Sequence, residues 1–325
     1  MGLKVRAWVR AATAAVLVGL LIIGYLSYYS PITDPYYPLN AGWDGCSQIY
    51  AMAQRGYILN SYSNPLAPIP SLVAIIGPRT PFDKNESGRL TYFLEAGGTV
   101  LLADDYGAGN TLLENLNVSV RFTGEPLADL YFYSKSPSFP IISHFALDPV
   151  TRNLTTMIFD HPTYLDILNP SSVTVLALSS PFSFVDLFNN GTLPPTEKTQ
   201  SYPMIASVPI GKGLLVLVAD SYAFTNEMIG ILDNRVFFSN MLSTANGTAS
   251  FDVAHLKRAA LTDYRIAFRD ELDTWVAVLH STVTQLALTA TLIVVFSGLF
   301  MRERTAERRH VSYSSTESSL HMNGK

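Results

Sequence analysis

Hydrophobic positions along the chain fall into three patterns: a long apolar block near each end, short continuous apolar runs, and stretches with helical spacing. The first block, "AATAAVLVGLLIIGYLSYYS" (Ala11 to Ser30), carries no charge over a length that crosses a bilayer as a helix. No small-residue cleavage signal follows it before "YYSPITDPYYP", so it reads as an uncleaved anchor. The second, "WVAVLHSTVTQLALTATLIVVFSGLF" (Trp275 to Phe300), is uncharged unless His280 is protonated, and "MRERTAERRH" stops it. Its length, the flanking Trp275 and the basic cluster favour a second span over a buried core helix.

Between the blocks, "CSQIYAMAQRGY" (Cys46 to Tyr57) reads as a short helix capped by Asp44 and stopped at Gly56. "SLVAIIGP" (Ser71 to Pro78) has the apolar run of a buried parallel strand. In "PFDKNESGRLTYFLEAGG", Asp83 and Glu86 form a capping-box variant. Leu90, Phe93 and Leu94 recur at helical spacing, and Gly97 and Gly98 end the helix. A strand, Thr99 to Ala103, then runs into two carboxylates, a glycine-rich turn and the helix-like "TLLENL". This alternation predicts a parallel sheet covered on both faces.

The middle, Pro126 to Pro203, is less regular and holds one predicted strand, in "VTVLALSS". "PMIASVPIGKGLLVLVADS" reads as two strands joined by the hairpin signal "IGKG". "FTNEMIGILDNRVFFSNMLST" (Phe224 to Thr244) reads as a helix capped by Thr225. Val253 to Thr274 is charged and helix-compatible, either a solvated stalk or a helix that docks a partner. The predicted division is a tail 1–10, a span 11–30, an α/β domain 31–252, a helical stalk 253–274, a span 275–301 and a basic tail 302–325.

Charge sets the predicted orientation. Lys4, Arg6 and Arg10 precede the first block, and Arg302, Arg304, Arg308, Arg309 and Lys325 follow the second, so both tails are expected in the cytoplasm. The domain between is then expected outside the plasma membrane. Five N-x-S/T sequons, at Asn85, Asn117, Asn153, Asn190 and Asn246, all lie in that domain and are glycosylation candidates. Cys46, the single cysteine, has no intrachain disulfide partner. With 22 basic and 26 acidic residues in 325, the balance gives no support for nucleic-acid binding.

The chemistry gathers at two strand ends. "ADDYGAGN" lacks the lysine of a phosphate loop, and its turn lacks the Ser or Cys of a nucleophile elbow. What remains is a polar rim: Asp104, Asp105, Gly107 and Asn110 after one strand, Asp220, Ser221, Thr225 and Asn226 after another. Asn234 and Arg235 follow. These residues either converge on a small polar ligand or hard cation, or cap their own turns. No spacing marks a metal or cofactor site. His144, His161 and His255 are scattered, and Cys46 is more simply a buried apolar side chain than a reactive thiol.

Several of these segments carry a resemblance: "GWDGCS", "LVAIIGP", "FLEAGG", "TVLLADDYGAGN", "GKGLLVLVADSYAFTNEM" and "DNRVFFSN". From Asn40 to Phe251 the chain resembles the membrane family known as domain of unknown function 4350. The resemblance implies a flavodoxin-like, class I glutamine-amidotransferase-like three-layer sandwich with a mostly parallel sheet, flanked by two transmembrane helices. In such amidotransferases the turn has the form Gly-x-Cys-x-Gly, and Asp105 stands at the position of the cysteine. "VADSYAFTNE" also lacks the later catalytic histidine, and "FDVAH" lacks the acidic residue expected before His255. The expectation is therefore a non-catalytic relative that works with membrane-protein partners, a MoxR-type ATPase system among them. A carboxylate-dependent hydrolase and a solute-binding transporter component are the alternatives.

Overall fold

The computed structural model describes residues 2–63, 66–69, 71–195, 197–259 and 262–280. They divide into an α/β unit, residues 30–262, and a helical unit formed by the two ends of the chain.

In the helical unit, α1 (Gly2–Tyr29) contains Arg10–Tyr29, which by length and apolarity suits a membrane span and a signal sequence alike. The second predicted span lies outside the described residues from position 281 onward, as does the basic tail.

The α/β unit begins with an irregular lead, then α2 (Ser47–Met52), β1 (Arg55–Leu59), β2 (Leu72–Ile76), α3 (Lys84–Glu95), β3 (Thr99–Ala103) and α4 (Asn110–Asn115). Short strands follow: β4 (Val120–Phe122), β5 (Leu127–Asp129), β6 (Ile141–Ile142), β7 (His144–Phe145), β8 (Met157–Ile158), β9 (Leu165–Ile167), β10 (Thr174–Leu178) and β11 (Ser183–Val185). The chain closes with β12 (Pro203–Ile210), β13 (Gly213–Val218), α5 (Asn234–Ser243), β14 (Thr248–Asp252) and α6 (Thr262–His280).

The main sheet has the order β1-β14-β2-β3-β13-β12-β10-β7. Its first five strands are parallel, and β12, β10 and β7 add an antiparallel wing. Every residue of β2 and β3 is buried, as their unbroken apolar runs require of strands covered on both faces. The chain steps one way from β2 to β3 and the other way from β13 to β14. Right-handed crossovers therefore put α3 and α5 on opposite faces. The predicted capping box is present: Asp83 accepts from the amides of Asn85 and Glu86, and Glu86 accepts from the Asp83 amide at 2.8 Å. The "IGKG" hairpin joins β12 to β13 as predicted.

Three elements differ from the sequence reading. The helix predicted to run to Tyr57 ends at Met52, and Arg55–Leu59 is the edge strand β1. Gly56 is glycine for packing: a Cβ there would lie 2.8 Å from the Tyr50 ring. Nor does Asp44 cap α2; its carboxylate accepts from Asn40 instead. The helix predicted from Phe224 begins only at Asn234, because the preceding amides bond elsewhere. Those of Asn226 and Glu227 donate to Gly45 and Trp43, and Leu232 has φ +49°. Finally, residues 253–259 are irregular rather than the start of a helical stalk. Val253, His255 and Leu256 are buried in the α/β unit, and the helix starts at Thr262.

Candidate functional site

β3 and β13 are parallel neighbours, with Ala103 opposite Val218, so the two predicted polar turns emerge side by side. Asp104 is wholly buried and builds its own turn. It accepts from the amides of Tyr106 (2.8 Å), Gly107 (3.1 Å) and Gly109 (2.7 Å). Gly107, at φ +86°, allows the chain to wrap that carboxylate. Asp220, equally buried, accepts from the amides of Tyr222 and Asp160, both at 2.8 Å.

Asp105 is the residue left for chemistry. Its carboxylate accepts from the Ser221 hydroxyl, which joins the two strand ends. Burial, and then the charge of Asp104, push Asp105 up to about 7, against the opposing effects of Arg79, Tyr106 and Ser221. Burial also raises Asp104, and it raises Asp220 well above the carboxylate range, with Asp105 adding to the second shift. The Arg79 guanidinium lies 3.2 Å from the centroid of the Tyr106 ring, a cation–π contact beside this acidic cluster. Tyr36, at φ +58°, packs edge-to-face on Tyr222 beneath them.

Above Asp105 opens a cleft of about 500 Å³. Its aromatic walls are Trp43, Tyr106, Phe139 and Tyr222, and its carboxylates are Asp105, Glu125, Asp160 and Glu227. His161 stands at the wall with Nδ1 2.5 Å from Asp160. None of the described residues lining the cleft is Lys or Arg; Lys135 pairs with Glu227 at 3.4 Å. The middle segment, irregular in sequence, supplies one wall, docked by the Thr163 amide on the Ala219 carbonyl. A larger cavity, about 940 Å³, opens along α3 from Lys84 to Phe93. Asp105, whose pKa is displaced, lines the smaller cleft, and that favours this cleft as the site.

The remaining candidates are structural. Asn110 exchanges two hydrogen bonds with the Phe122 backbone. Asn226 donates to the carbonyls of Asn40 and Gly42 and accepts from the Gln48 amide, clasping the "GWDGCS" loop. Thr225 bonds the Tyr222 carbonyl, buried Asn234 bonds Ile158, Ala223 and Met228, and Arg235 bonds Gln48. Cys46 is buried, and burial raises its thiol pKa, so it is a core side chain. Among the described residues no group of His, Cys, Asp and Glu is arranged to hold a metal ion.

All five sequon asparagines are exposed. Four of them also have a local backbone role. Asn117, Asn153 and Asn246 occupy positive φ, and Asn190 accepts from the Thr192 amide. Sequence reasoning missed Arg79, Tyr36, Trp43, Glu125, Asp160 and Glu227, and gave no role to His161. Trp43 and Glu227 stand in the resemblance segments "GWDGCS" and "GKGLLVLVADSYAFTNEM" without a signal of a shared cleft, and the others come from segments with no motif to mark them.

Residues 38–242 match the family described as domain of unknown function DUF4350. The chain belongs to this family. The DUF4350 match covers the site and both of its strand ends. Among curated proteins none matches. Similar solved structures include the mmIFT52 N-terminal domain, 18% identical over 55% of this chain and 77% of that one, with a TM-score of 0.42. A β-galactosidase from Bacillus circulans sp. alkalophilus is 12% identical over 55% of this chain and 23% of its own, with a TM-score of 0.35.

Proposed function

We propose that this DUF4350 protein is a non-catalytic, bitopic membrane protein whose outward α/β unit binds a positively charged group in the cleft above Asp105. The group is an amine, quaternary ammonium or guanidinium, on a small ligand or on a partner protein. One observation carries the reading: four aromatic side chains and four carboxylates line one cleft, and the basic side chains beside it, Arg79 on the Tyr106 ring and Lys135 on Glu227, leave the acids in excess. Such a lining attracts cations and repels anions. The amidotransferase-like resemblance adds that Asp105 replaces the nucleophilic cysteine, so thioester chemistry is lost. Partners in this reading are membrane proteins of a cell-envelope or transporter-type assembly, with a MoxR-type ATPase system.

Two observations support the two-span arrangement. The tails are basic, and the Tyr28 hydroxyl donates to Asp273 at 2.8 Å, joining the end of the first apolar block to the helix that leads into the second. Cysteine labelling of Ser201→Cys and Ser314→Cys variants in intact cells is expected to show opposite sidedness. The same sidedness would overturn the topology. Co-purification from native membranes in mild detergent is expected to bring stoichiometric membrane partners. A chain that emerges alone would leave small-ligand binding as the function.

A second reading, carboxylate-dependent hydrolysis, is favoured by the displacement of Asp105 to about 7, a value suited to a general base. Asp105→Asn separates the readings. A hydrolase loses turnover in this variant while remaining folded; the proposed binding protein has no turnover to lose.

A further inference from the structure

We propose that the cation held in the cleft is a lysine or arginine side chain of a partner protein, and that a strip of exposed aromatic rings beside the cleft takes the apolar residue next to it. The inference rests on the cation reading of the cleft and deepens it, choosing a protein partner over a small ligand. The strip is Phe139, Phe132, Phe182 and Tyr131. Phe139 lines the cleft, whereas Phe132, Phe182 and Tyr131 are 47%, 39% and 70% exposed.

Backbone register joins the strip to the cleft. The segment 131–141 folds back as a hairpin in which Tyr133 pairs with Pro140. The Ser134 amide donates to the Phe139 carbonyl, and the Ile141 amide donates to the Phe132 carbonyl. Phe132 and Phe139 are therefore diagonal neighbours on one face of the hairpin, about 7–8 Å apart. Phe182 stacks on Phe132 with ring centroids 6.1 Å apart, and Tyr131 meets Phe182 edge-on at 5.0 Å.

The rings are exposed yet held. Asp129, wholly buried at the end of β5, accepts from the amides of Tyr131 (2.9 Å) and Phe132 (2.7 Å) with one oxygen. Its other oxygen accepts from the hydroxyls of Ser180 and Ser183, and Ser180 in turn accepts from the Phe182 amide at 3.0 Å. One carboxylate thus fixes both loops that carry the rings. Aromatic side chains are enriched at protein–protein interfaces, and rings already in place lose little freedom on contact.

Charge selects the partner. Lys135, the one basic residue of the hairpin, is paired with Glu227, and the cleft beside the strip keeps its excess of carboxylates. A basic side chain is drawn there and an acidic one is repelled. A small amine fills the cleft and leaves the strip in water. Two residues of extended chain span about 7 Å, the step from Phe139 to Phe132. The segment that fits is therefore a Lys or Arg with an aromatic or large apolar residue two positions away.

The test uses the full chain in phosphatidylcholine nanodiscs, titrated in a calorimeter with three peptides: acetyl-Ser-Arg-Ser-Trp-amide, acetyl-Ser-Arg-Ser-Ser-amide and acetyl-Ser-Glu-Ser-Trp-amide. The first is expected to bind roughly 10-fold tighter than the second, and the third not to bind. Tyr131→Ala with Phe132→Ala should erase the advantage of the first peptide and leave the second unchanged. Tyr131→Ala alone, at the most exposed ring of the strip, keeps the test valid if the double variant does not fold, and should weaken the first peptide roughly 3-fold. Equal binding of the two arginine peptides, an advantage that both variants keep, or glutamate-peptide binding as tight as the first would overturn this proposal alone. So would variants that change the oligomeric state of the chain rather than its peptide affinity, since the strip would then face a second copy. Failure of both arginine peptides would overturn the cation reading beneath it as well.

Discussion

Ser221 donates its hydroxyl hydrogen to Asp105 and so ties the end of β13 to the end of β3. The contact sits in a cluster of three acids, Asp104, Asp105 and Asp220, whose burial favours their protonated forms. The fold therefore holds protons there that the unfolded chain releases.

For Asp105 the sign follows directly. Its folded value, about 7, lies above the unfolded value of 3.8, so its contribution to stability is complete below about pH 4 and is lost as pH rises to about 7. Thermal unfolding of the full chain in neutral detergent should show stability falling across that window. Asp105→Asn should remove part of the fall, up to about 4 kcal/mol. An unchanged pH profile in the variant would show that Asp105 ionises as it does in the unfolded chain.

His255 adds a second pH dependence at higher pH. It lies between Asp252, 3.0 Å from Nδ1, and Glu86, 3.3 Å from Nε2, and stacks on Phe82 with the rings 3.6 Å apart. Burial lowers its pKa, but the two carboxylates outweigh burial and the net shift is upward. This stabilisation is complete below the ordinary histidine value and is lost as pH rises through the raised one. His255→Gln should lower the melting temperature more at pH 6 than at pH 9. Equal losses at both values would mean that the neutral ring does the packing.

Asn226 is expected to act in stability rather than binding. Its side chain satisfies two carbonyls and one amide of the 40–48 segment. Asn226→Ala should cost roughly 2–3 kcal/mol, about 5–10 °C in melting temperature. Asn226→Asp should fail as well, because a carboxylate faces the carbonyls of Asn40 and Gly42. A variant that melts normally but loses ligand would return Asn226 to the site.

Local signals in the sequence were enough for β2, β3, the capping box of α3 and the β12–β13 hairpin, since each is fixed by apolar runs, caps or turn chemistry within a dozen residues. They were not enough for β1, whose alternation is weak and whose partner β14 is almost two hundred residues away. The start of α5 was misplaced for a related reason: the amides after Thr225 serve the "GWDGCS" loop, a long-range demand that helical periodicity cannot reveal. At the site, the paired strand ends were legible, but the division of labour was not. Asp104 and Asp105 are adjacent and alike in sequence, yet three backbone amides occupy one and leave the other at the cleft. Of the aromatic wall, Phe139 came from the irregular middle, while Trp43, Tyr106 and Tyr222 stood in segments whose local pattern does not show that their rings share a cleft.

The most direct test of the central claim is titration calorimetry of the full chain with choline, arginine and spermidine, against glucose and citrate as neutral and anionic controls. Saturable binding of a cation is predicted, weakened about 10-fold by Glu227→Gln or Glu125→Gln without loss of fold. Binding of citrate in preference to every cation, or cation binding that both variants leave unchanged, would contradict the assignment of the cleft.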